Sequence, residues 1–188
     1  MSSDIFSKKI DVNKFGLIYA GAQKNMGPAG TTLIIVKNEI LGKNGRDIPT
    51  MLDYQKHIEK ESMFNTPPVF SVYVSMLTLE WLKHQGGVSE IEKINTEKAL
   101  MLYNEIDRNP LFEGFANLED RSVMNATFNL LDKKLEDKFD SLCIENGING
   151  LKGHRSVGGY RASMYNALPL SSVSHLVKLM QKFENKIW

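Results

Sequence analysis

The stretch that most constrains this chain of 188 residues runs from Pro67 to Trp81. Pro67 and Pro68 suit the first turn of a helix, where a missing N–H costs nothing, and Phe70, Tyr73, Val74, Leu77 and Trp81 then recur at helical spacing. Val69, Val72, Met76 and Leu79 make a second apolar face, so the helix is expected to be buried between layers. It should end at Gly86-Gly87, the residue type that a C-terminal cap favours.

On either side of this helix the periodicity defines further elements. Residues 17–20 (LIYA) and 31–36 (TTLIIV) are short β-branched or apolar runs expected as strands, joined by the small-residue loop 21–30 (GAQKNMGPAG). A polar stretch follows over 37–62. Past the glycine pair, Ser89 and Glu92 have capping-box spacing ahead of a helix whose Ile91, Ala99, Leu102, Tyr103 and Ile106 share a face. The domain boundary is expected at this junction, dividing the chain into 1–87 and 88–188. Residues 122–131 alternate as a strand, and Leu135, Phe139, Leu142 and Cys143 then fall at helical spacing up to Gly147. Short strands are expected over 148–151 and 160–165. A last helix after Ser171-Ser172 carries Val173, Leu176, Val177, Met180 and Ile187 in one stripe. Strands alternating with one-sided helices give an α/β class, with a small sheet covered on one face by helices.

Composition narrows the function classes. With 23 Lys+Arg against 22 Asp+Glu, the formal charge is +1, which supplies no broad basic field for nucleic acid or an anionic membrane. Small phosphorylated ligands remain open. The apolar fraction of 42% excludes disorder, and no apolar run approaches the ~20 residues that span a bilayer. One cysteine, Cys143, and no signal-peptide core after Met1 point to a reducing, cytoplasmic setting.

Two constellations could carry chemistry. Lys24 sits on the small-residue loop at a strand end, where a primary amine could reach a carbonyl and form a Schiff base if desolvated enough to lose its proton. The plainer reading is a solvated surface lysine. Gly21, Gly27 and Gly30 could form an anion nest, although their spacing is not that of the G-x-x-x-x-G-K-[ST] phosphate loop. The second constellation is GHRSVGGYRA over 153–162, where His154, Arg155 and Arg161 crowd a glycine-rich turn before a strand. Arginine's planar fork grips a carboxylate or phosphate at two points, so a small dianion fits; surface ion pairs and a packing histidine are the bland alternatives. Cys143 falls on an apolar helix face, as expected of core packing rather than a nucleophile. His57, His84 and His175 show no metal-ligand spacing, and no metal is expected.

The segments YAGAQKNMGPAG (19–30), MSSD (1–4), SMFNTPP (62–68) and GHR through GYRASMYN (153–166) resemble, in order, signatures of the phosphoserine aminotransferase family, which are fold-type I, class V pyridoxal-phosphate enzymes. The resemblance covers essentially the whole chain. It implies that Lys24 holds pyridoxal 5'-phosphate as a Schiff base, with Gln23 beside the cofactor phosphate. It also implies that Asn65 and Thr66 reach that phosphate from the partner subunit of a homodimer. His154 and Arg155 match the pair that receives the substrate phosphate, and Arg161 the arginine that clamps the α-carboxylate. In the family, a cofactor-pairing aspartate stands directly before the segment matching 1–4, and an aromatic that stacks on the cofactor ring lies further upstream. Asp4 is not that aspartate.

The expectation is therefore a C-terminal half: the rear of the large cofactor domain over 1–87 and the small α+β domain over 88–188, inactive alone. The implied reaction is transamination between L-glutamate and 3-phosphohydroxypyruvate in serine biosynthesis, with pyridoxine biosynthesis as a second route in bacteria. Rival readings are cysteine desulfuration, which needs an exposed, mobile thiol, and a non-catalytic remnant that keeps only phosphate and carboxylate binding.

Overall fold

The computed structural model describes residues 1–43, 45–153 and 158–187, and the chain divides into two compact units, Met1–Ser89 and Glu90–Trp188. In the first unit, β1 (Leu17–Gly21) pairs antiparallel with β2 (Thr32–Val36), Leu17 facing Val36 and Gly21 facing Thr32. Ile18 and Ala20 of β1 turn inward onto Ile5, Ala22 and Met26 to make a small core. The polar stretch holds a short helix, α1 (Tyr54–Glu59), capped by the Asp53 carboxylate, which accepts from the Gln55 amide. Helix α2 (Val69–His84) begins directly after the proline pair, with Pro68 at its N-cap, so the prolines precede the first turn rather than occupy it.

The expected burial of α2 on both apolar faces is not what the structure has. Its buried residues are Ser71, Ser75 and Leu82, while Phe70 is 74% and Tyr73 55% exposed. The reason is steric. A Cβ on Gly27 would lie 2.6 Å from Ser75 Oγ and 3.0 Å from Ser75 Cα, and one on Gly30 would lie 2.8 Å from Ser71 Oγ. The helix and the loop approach so closely that only a small side chain against glycine fits. Ser71 Oγ also donates to the Ala29 carbonyl at 2.9 Å. The large apolar side chains are left pointing outward.

In the second unit, β3 (Phe112–Gly114), β4 (Asn125–Leu130) and β5 (Tyr160–Ser163) form an antiparallel sheet in the order β3-β4-β5. Alternation along β4 buries Ala126, Phe128 and Leu130, and β5 likewise buries Tyr160 and Ala162. These residues form one cluster with the inward stripes of α3 (Gly87–Arg108), α4 (Glu136–Glu145) and α5 (Leu170–Ile187). Phe139 is at its centre, with its ring 5.2 Å from each of Phe112, Tyr160 and Phe183. The sheet is thus covered on one face.

Several expected boundaries shift. Gly86 and Gly87, both at positive φ (92° and 73°), reverse the chain so abruptly that α3 starts at Gly87, and Ser89 lies in its first turn rather than capping it. Helix α5 likewise starts at Leu170, ahead of Ser171-Ser172. Strand β4 begins at Asn125 because the Ser122 hydroxyl accepts from the Met124 and Asn125 amides and bends the chain there. Residues 148–151 form no strand; left-handed Gly147 and Gly150 (φ 75° and 73°) break the extension. The segment meets β5 through the Arg161 amide, which donates to the Leu151 carbonyl at 2.7 Å, and through the bridge of Lys152 to Tyr160 that follows it.

Candidate functional site

The loop that carries Lys24 is a tight, pinned turn. It opens where the Ala22 amide donates to the Thr31 carbonyl at 2.9 Å, and the Ala22 carbonyl accepts from the amides of Met26 (3.0 Å) and Gly27 (2.9 Å). Ala22, Asn25 and Met26 are buried, which leaves Gln23 and Lys24 exposed at the crest. The Asn25 side-chain amide donates to the carbonyls of Ser3 (2.8 Å) and Ile5 (3.1 Å), and the Gly21 amide donates to Ser2 Oγ (2.8 Å). The segment 1–7 is thereby tied to the turn from beneath. Gln23 folds back over Gly21, where any Cβ would collide with its carboxamide. An amine and an amide donor are thus presented side by side on backbone that has little freedom to move. That pair can hold a ligand bearing an aldehyde and a phosphate: the amine condenses with the one, the amide donates to the other.

Asn65 and Thr66 lie in the same unit, exposed in the irregular segment ahead of α2. Glu61 and Ser62 take left-handed conformations (φ 50° and 67°) that swing the chain into it, and Asn65 Nδ2 donates to the Thr66 carbonyl at 3.1 Å.

Arg161 belongs to the second unit. It stands on the face of the sheet that points away from the helices of its unit, opposite Thr127 of β4. With Thr127, Asn129, Phe115 and the glycines Gly153 and Gly158 it lines a cavity of about 280 Å³. It also borders a recess of about 470 Å³ walled by Asn149, Ser163 and His175. The expectation for His154 and Arg155 falls outside the described residues. Thus Gln23 and Lys24 are brought together, Asn65 and Thr66 sit on a separate segment of their unit, and Arg161 is on the other unit.

Cys143 is buried on α4, and burial, with a smaller push from Asp140, raises its thiol to about 11. That is a packing cysteine, not a nucleophile. Among the described residues, no group of three or more His, Cys, Asp or Glu side chains could hold a metal, and no helix is long and apolar enough to cross a membrane. The anchoring role of Asn25 and the placement of Thr127 beside Arg161 were missed by sequence reasoning. A short polar side chain inside a small-residue loop was the only available hint of the first.

A profile of the class-V aminotransferases matches residues 1–176. The chain belongs to that family. It is 69% identical over 187 residues to the phosphoserine aminotransferase of Flavobacterium psychrophilum and 65% identical to that of Flavobacterium johnsoniae, covering 100% of this chain and 52% of each relative. Among solved structures, phosphoserine aminotransferase from Bacillus circulans subsp. alkalophilus superposes with a TM-score of 0.95 at 42% identity, over 100% of this chain and 52% of that one. The pyridoxal-phosphate-bound enzyme from Trichomonas vaginalis gives 0.90 at 37% identity, over 96% and 52%. The chain therefore spans about half the length of the curated relatives it matches. Its fold is that of the fold-type I class-V aminotransferases.

Proposed function

We propose that this chain is the C-terminal half of a cytoplasmic, homodimeric phosphoserine aminotransferase, with residues 1–87 the rear of the cofactor domain and 88–188 the small domain. The reaction is amino transfer from L-glutamate to 3-phosphohydroxypyruvate, giving O-phospho-L-serine and 2-oxoglutarate. It serves serine biosynthesis and, in a bacterial source, pyridoxine biosynthesis. The observation that carries this reading is the 69% identity to a phosphoserine aminotransferase over 187 residues of this chain.

Pyridoxal 5'-phosphate fits the residues present: Lys24 would hold its aldehyde carbon and Gln23 its phosphate, with Asn65 and Thr66 of the partner subunit completing the phosphate shell. When bound, it supplies the electron-withdrawing ring that stabilises negative charge at the substrate Cα. The chain's own residues supply geometry and proton movement. Lys24 Nζ would take the proton from Cα of L-glutamate and, in the second half of the exchange, would deliver a proton to Cα of the amino-acid product. Arg161 grips the α-carboxylate at two points and fixes the direction of the Cα–H bond. His154 and Arg155 receive the substrate phosphate, so a phosphorylated side chain is preferred to a neutral one.

The test is steady-state kinetics on the full-length enzyme with both substrates. Arg161→Lys should weaken L-glutamate and 3-phosphohydroxypyruvate alike, by about 1.5–3 kcal/mol each, because both carry the carboxylate. Arg155→Ala should affect mainly the phosphorylated substrate. The 188 residues alone should show no turnover until the remaining half is added. Absence of turnover in the full-length enzyme would overturn the reading in favour of a binding module.

A further inference from the structure

Lys98 has no part in the chemistry above, yet it is a completely buried lysine, 0% exposed on α3. Its ammonium donates to three main-chain carbonyls, those of Met164 (3.0 Å), Tyr165 (3.0 Å) and Leu168 (3.1 Å). An ammonium has three N–H donors and no acceptor, so every donor is matched. One turn away on the same helix, the buried Asn95 donates from Nδ2 to Asn166 Oδ1 at 2.9 Å. The two side chains form a polar bracket around the turn 164–168.

That turn is the direct continuation of β5, the strand that carries Arg161. From the sheet side it is held by the Met164 amide donating to the Met124 carbonyl at 2.7 Å, and by the hydroxyls of Ser163 (3.0 Å) and Tyr165 (3.2 Å), both donating to Asn125 Oδ1. Arg161 is three residues upstream of the first carbonyl that Lys98 holds. A neutral apolar side chain would fill the same volume without taking a charge out of water, and burial does pull the Lys98 ammonium down to about 8. What such a side chain would not do is draw three carbonyls to one point.

We propose that Lys98 is a positioning residue for substrate binding, gathering the turn after β5 so that Arg161 presents its guanidinium at the height the α-carboxylate requires. This rests on the reading of Arg161 as the carboxylate clamp. Lys98 touches no reacting atom and acts only through the strand.

The experiment is a double-mutant cycle in the full-length enzyme loaded with pyridoxal phosphate, reading KM and kcat for L-glutamate and 3-phosphohydroxypyruvate. Lys98→Met should raise both KM values about tenfold with kcat within about twofold; in an Arg161→Lys background the additional rise should fall below about threefold. Unchanged KM values in Lys98→Met, or a full tenfold rise in both backgrounds, would overturn the proposal and make Lys98 a purely structural residue. If Arg161→Lys alone leaves both KM values unchanged, the reading of Arg161 fails and the proposal falls with it. Lys98→Gln, which keeps two donors, gives the same comparison should Lys98→Met not accumulate as folded enzyme.

Discussion

Replacing Gly27 by alanine probes the close approach that shapes the Lys24 turn. The added Cβ would sit 2.6 Å from Ser75 Oγ, 3.0 Å from Ser75 Cα and 3.2 Å from Ser75 N. The hydroxyl can rotate away, but the Cα and N belong to helix backbone and cannot. Optimal carbon–carbon separation is about 3.5 Å or more, so α2 and the turn must part by roughly half an ångström. Overpacking of this kind costs about 1–3 kcal/mol, to which the φ of +156° at Gly27 adds strain for any L side chain. The cost should appear locally, as opening of the turn closed by the Met26 and residue-27 amides on the Ala22 carbonyl. Native-state hydrogen exchange on the full-length enzyme reads this directly: protection of those amides should fall by about 5- to 150-fold in Gly27→Ala, while α5 amides are unchanged. Ser75→Ala is the control. The Ser75 hydroxyl is buried without a hydrogen-bond partner, so its removal should cost nothing. Wild-type protection in Gly27→Ala would refute the claim that serine-on-glycine packing holds the Lys24 turn in place.

Two further outcomes concern the second unit. The Cys143 thiol, raised by burial to about 11, should resist iodoacetamide at pH 8 in the native protein and react once the chain is unfolded. Because its folded value lies above the unfolded one, its contribution to stability is present below about pH 8.5 and lost as the pH rises towards 11, and Cys143→Ala should remove that slope from pH-dependent denaturation. For Glu105, burial works to raise the carboxyl, but hydrogen bonds from Arg108, Asn109 and Gln181 outweigh it and the net shift is downward. Its stabilisation is therefore present above about pH 4.5 and lost on acidification through the folded value; Glu105→Gln should cost about 1.5–3 kcal/mol at pH 7 and flatten the acid limb of the denaturation curve.

Local pattern was enough for some parts of this molecule and silent on others. The β-branched run at 31–36 and the single stripe of α5 are sequence-local signals, and both elements formed, β2 over Thr32–Val36 and α5 from Leu170, slightly ahead of the serine pair. The ends of α2 were legible in Pro68 and Gly86, but its orientation was not. Its Phe and Val residues dominate any hydropathy reading, whereas the side it buries is decided by Ser71 and Ser75 meeting glycines more than forty residues away in sequence. β3 is only three residues long and has no period to detect. In the candidate site, Lys24 and Arg161 stood out as residue types on suggestive loops. Asn25 and Lys98 did not, because what marks them is the set of carbonyls folded around them, a property of the tertiary structure alone.

On the proposed function, Lys24 is the residue through which this protein holds its cofactor. Borohydride reduction of the full-length enzyme with bound pyridoxal phosphate, followed by digestion and mass spectrometry, tests it most directly. A reduced pyridoxyl adduct on Lys24 and on no other lysine is expected; an adduct on Lys37 or Lys43, with Lys24 unmodified, would contradict that role.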